Sequence, residues 1–103
     1  MKIIKVMSED IERELDIAED CARKSVQYKT EFPDVARIYD NLCTTHLNCI
    51  KSLHDQVVSI INKYKIEKGE PPAPMMAIYG YLHERQISKT VAVRNLQEIY
   101  KQM

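Results

Sequence analysis

Only two glycines in 103 residues, no tryptophan, no long apolar run and no surplus of either charge mark this sequence first by what it lacks. With so little glycine and few strand-like alternations, sheets are disfavoured and helices expected. No apolar stretch approaches the roughly 20 residues that cross a bilayer, so no membrane role is expected. The opening segment MKIIKVM is too short and too charged for a secretory signal, which leaves the cytosol as the expected location. Fifteen basic and fifteen acidic side chains cancel. That removes the general electrostatic reason for direct nucleic-acid binding, because no excess cation is there to displace counterions from phosphates. Three cysteines, Cys21, Cys43 and Cys49, are an odd number, which argues against a disulfide framework and for free thiols or metal ligands. There is no Gly-rich phosphate loop, nucleophile elbow or Cys-x-x-Cys pair.

What is present reads as one small helical domain over residues 1–103, with a thin core that a dimer interface or a bound metal would help to stabilise. Three helices are expected, at about 9–30, 33–68 and 74–102. Ser8 suits an N-cap and is followed by Glu9, Asp10 and Glu12, whose carboxylates complement the positive end of a helix dipole. Ile11, Leu15, Ala18, Ala22 and Val26 then draw one apolar stripe. Phe32-Pro33 breaks this helix and opens the next. The long second helix, about 50 Å at the usual rise per residue, carries Val35, Tyr39, Leu42, His46, Cys49, Leu53, Val57, Ile60 and Tyr64 on one stripe. Leu47, Ile50, Val58 and Ile61 form a second stripe, so this helix is expected to be the central element, packed against more than one partner. Gly69 to Pro74 reads as a linker. In the third helix, His83-Glu84-Arg85-Gln86 interrupts the apolar pattern.

Two polar residues fall where core is expected. His46 and Cys49 are successive members of the main stripe and share a helix face, where an imidazole and a thiolate suit zinc. A hydrogen-bonded core histidine beside an inert cysteine is the alternative. Glu19 and His83 sit at the edges of the neighbouring stripes. With them the set Glu19, His46, Cys49 and His83 fits a closed tetrahedral zinc site, structural in kind. If that is so, Cys49→Ala costs metal and stability together and Cys43→Ala is mild. Seven acids against Arg13 alone crowd residues 9–20. Glu9, Asp10, Glu12 and Asp16 are thus candidates for contact with a basic protein surface, or else form a solvated helix face.

Three segments carry a resemblance. Ala18-Glu19-Asp20-Cys21-Ala22-Arg23 resembles the Glu-x-x-Ala-Arg stretch of a rubrerythrin-type first helix. His46-Leu47-Asn48-Cys49-Ile50 occupies the place of a Glu-x-x-His motif. Glu70 to Ala77, with Tyr81-Leu82-His83-Glu84, is similar to the linker and third helix of short three-helix ferritin-like proteins of bacteriophages and prophages. The resemblance implies an all-α, ferritin-like three-helix bundle, closed as a monomer or intertwined as a dimer, with a metal held between helices. Here His46 stands in the place of a bridging Glu and Cys49 in the place of the His, with Gln86 where another His is expected. That ligand set suits one zinc better than two irons.

The expected function is that of a non-enzymatic phage-type protein, pinned by zinc and acting in the cytoplasm of a bacterial host. It would bind a host protein, a nucleic-acid-handling defence nuclease being the natural target, as anti-CRISPR inhibitors do. A dimeric ferritin-like di-iron oxidase or iron-handling protein is the second reading, and a metal-free phage structural or assembly subunit, in which Tyr and Met side chains at the helix ends form a homo-oligomer contact, the third.

Overall fold

Proline cannot continue a hydrogen-bond ladder behind it, and the two proline-containing junctions divide the chain as its sequence predicts. The computed structural model describes residues 2–103 as three helices, α1 Lys2–Tyr28, α2 Pro33–Lys68 and α3 Ala73–Gln102. The Phe32 amide donates to the Tyr28 carbonyl at 2.7 Å as α1 ends. Pro33 then takes the first turn of α2, where its missing N–H is not needed. Gly69 ends α2 at φ +82°, a left-handed backbone that side chains disfavour, and its amide reaches back to the Lys65 carbonyl at 3.0 Å. The result is an all-α three-helix bundle with a long second helix.

Four expectations change. Ser8 does not cap α1, which starts at Lys2. Ile4 lies one apolar repeat before Ile11 and is buried with it, so packing extends the helix through the serine. Ser8 is instead buried, and its hydroxyl oxygen accepts a bond from Gln86 Nε2 at 3.1 Å. Gln86 therefore does not interrupt α3; it is a core residue of a continuous helix.

The stripe assigned to α2 is rotated from the buried one. Ala36, Cys43, Leu47 and Ile50 face inward, whereas Val35, Leu42 and Cys49 are exposed. The second stripe thus supplies the core with Leu47 and Ile50, where they meet Ile11, Leu15, Ala18, Cys21, Ala22 and Val93. Small residues at Ala18, Ala22 and Ala36, all fully buried, let the helices approach closely.

The long α2 is the central helix in chain order, while the packing against two neighbours expected of it belongs to α1. α1 packs against both other helices, while α2 and α3 meet at few points. Glu14 bonds His46 on α2, and Glu12 and Asp16 pair with Arg85 and Lys89 on α3. The molecule is a rod of 55 × 18 × 18 Å, and among the described residues no helix is long and apolar enough to cross a membrane.

Candidate functional site

Of the four side chains expected to share a zinc ion, three are held by separate sets of contacts and the fourth is exposed. Glu19 Oε1 accepts from Arg23 one turn along α1, at 3.2 Å. His46 Nδ1 lies 2.5 Å from Glu14 Oε2, in a half-buried contact between α1 and α2. Cys49 is exposed. His83 Nδ1 lies 3.3 Å from Nε2 of His54, across the α2–α3 gap. Among the described residues, no three His, Cys, Asp or Glu side chains gather where one ion could reach them. The rotation of the α2 stripe is the physical reason: Cys49 turns outward while His46 turns toward α1. The structure thus does not bring Glu19, His46, Cys49 and His83 together around one point.

Three of the four acidic residues singled out on α1 are also engaged within the molecule. Asp10 pairs with Arg13, Glu12 with Arg85 at 3.7 Å, and Asp16 with Lys89. Two of these pairs reach across to α3, so much of the acidic face fastens helices together. Glu9 remains exposed at the helix surface.

The open side of the bundle is more informative. Because α2 and α3 both lean on α1 and scarcely on each other, a groove runs between them with Ile11 on its floor. Ile50, Val57 and Ile61 of α2 line one wall, and Leu82, Ile87 and Val91 of α3 the other. Ile87 and Val91 are 51% and 52% exposed, and Val58 is 43% exposed. Apolar side chains at this spacing along two helices, open to water, have the character of a contact surface. Lys51 and Arg94 are the formally charged residues along the walls, one on each helix.

His54 and His83 span this groove midway. Their rings stack with centroids 5.0 Å apart and 24° between planes. Farther along, Gln97 Nε2 donates to Thr44 Oγ1 at 3.1 Å, a second tie between α2 and α3. His54 is not among the ligands expected from sequence, although the signal is there: it stands four residues after Ile50 and seven after Leu47, on the very stripe that forms the core. Glu14 likewise sits one turn from Ile11 and Ala18, which places it beside α2.

Of the thiols, Cys43 is fully buried and its pKa is pushed up to about 11, foremost by burial and then by the charges of Asp40 and Cys21, with Arg94 opposing. Burial foremost, and then Asp20, raises Cys21 as well. Both are therefore protonated, weakly nucleophilic packing residues at neutral pH. Comparison with protein-family models, curated proteins and solved structures returns no match.

Proposed function

We propose that this chain is a docking module that receives an amphipathic helix of a partner protein in the groove between α2 and α3. One observation carries the reading: two long helices share α1 as a neighbour but leave Val58 of α2 and Ile87 and Val91 of α3 exposed along the groove between them. A fourth helix laid on Val58, Ile61, Ile87 and Val91 would bury those walls, in the helix-in-groove manner of many peptide recognition sites. The guest would then fill the fourth corner that a ferritin-like bundle fills with its own chain. Lys51 and Arg94 flank the groove on opposite sides, which favours a guest with Asp or Glu beside its apolar stripe. The interaction reading drawn from the sequence is thus kept, and its contact surface moves from the acidic face of α1 to the α2–α3 groove.

The test is site-specific photo-crosslinking from position 91 in cells of the source, followed by mapping of the crosslinked segment and binding measurements with that segment. The expected product is a helical segment of another protein with acidic flanks, whose affinity falls tenfold or more in Val91→Glu and in Lys51→Glu. Unchanged affinity in Val91→Glu would remove the groove as the interface. Crosslinking to a second copy of the chain would replace the partner protein by a homodimer.

A further inference from the structure

We propose that His54 and His83 form a two-histidine site for a divalent transition metal, zinc foremost, that clips α2 to α3 across the groove. The inference stands on the geometry of the pair and holds whether or not a partner helix uses the groove. His54 Nε2 and His83 Nδ1 are 3.3 Å apart. Two imidazole nitrogens bound to one tetrahedral zinc, each about 2.0–2.1 Å from the metal, are separated by about 3.4 Å. The pair thus already holds the spacing of two corners of such a site, and modest rotation of the rings aims both lone pairs at one point.

Three further features support it. His54 turns its other nitrogen, Nδ1, toward Asp55 Oδ1 at 3.8 Å. That distance is longer than a hydrogen bond, and a small side-chain movement of Asp55 would bring its carboxylate to where it can fix the tautomer and orientation of a ligating imidazole. Both rings lie at the edge of an open groove, so water can fill the remaining coordination positions. Imidazole donors prefer zinc, nickel or copper to magnesium or calcium. The site shares His83 with the set expected from sequence and takes its second ligand from His54.

The ligands come from the two helices that otherwise meet least. Metal bound there would therefore act on the width of the groove and on the attachment of α3, rather than on the α1–α2 core.

The experiment uses the untagged, metal-stripped chain titrated with zinc chloride, with the ring-proton resonances of the three histidines followed by NMR and the melting temperature recorded in parallel. The His54 and His83 signals should move and that of His46 should not, and the Tm should rise by about 5 °C or more at saturating zinc. Both responses should vanish in His54→Ala and in His83→Ala, which replace partly exposed side chains and leave the core intact, and should persist in Cys49→Ala. A thermal rise that survives His83→Ala would overturn the assignment. So would a titration that moves His46 together with the other two, no response to zinc, or a response that accompanies doubling of the mass in sedimentation, since the metal would then join two copies.

Discussion

At the scale of single residues, the clearest reversal concerns the cysteines. Cys49, the expected ligand, is the exposed thiol, whereas Cys43 lies in the core. Iodoacetamide at pH 8 should therefore modify Cys49 in the folded protein, and Cys43 only on unfolding. Mass spectrometry of the native and urea-treated chain reads both outcomes. Cys43 also ties stability to alkaline pH. Below about pH 9 its thiol is protonated in both states. Between 9 and about 11 the unfolded chain releases a proton that the folded chain keeps. Stability should fall as pH rises through that window, and Cys43→Ala should flatten the fall; urea titrations at successive pH values measure it.

Ser8 makes a comparable point. Ser8→Ala removes the acceptor of a buried Gln86 amide and should cost about 1–3 kcal/mol. Adding Gln86→Leu should recover part of that loss, because no polar group then stays unpaired.

At the scale of elements, the helices and their breaks were legible because proline, glycine and the apolar repeat act locally. Phe32-Pro33 and Gly69 to Pro74 placed both junctions within a residue or two of the ends of α2. Gly69→Ala should destabilise the bundle by about 1 kcal/mol through its left-handed backbone, seen as a lower urea midpoint at unchanged slope. The start of α1 was not legible, since burial of Ile4 outweighs the capping preference of Ser8. The inward face of α2 was harder still. Apolar residues cover more of its circumference than one neighbour can bury, so the stripe through Leu42 and Cys49 and the stripe through Leu47 and Ile50 compete on equal terms in the sequence. Only the packing of α1, with its small Ala18 and Ala22, decides between them. The candidate site followed the same rule. His83 was visible as a polar residue at a stripe edge, but its pairing with His54 depends on how two distant helices are set against α1.

At the scale of the molecule, the rod shape itself is measurable. Its Cα radius of gyration is 16.5 Å, against about 13 Å for a compact domain of this length. X-ray scattering of the monomer should return the larger value, and a side-by-side dimer would alter the cross-section more than the length. Exposed groove residues should carry little folding energy. Ile87→Glu should leave the melting temperature of the isolated chain nearly unchanged, in contrast to Leu15→Ala, which should cost about 2–5 kcal/mol through a core cavity.

The arrangement in which α1 makes the main contact with both other helices also grades the chain in time. α1 and α2 form a hairpin of near neighbours, whereas the bond between Ser8 and Gln86 closes over 78 residues. The hairpin can assemble before the last third of the chain has left the ribosome, and α3 is added afterwards to a surface already made. The same order run backwards makes α3 the first segment to peel away under native conditions, so its amides should exchange with deuterium sooner than those of the α1–α2 pair.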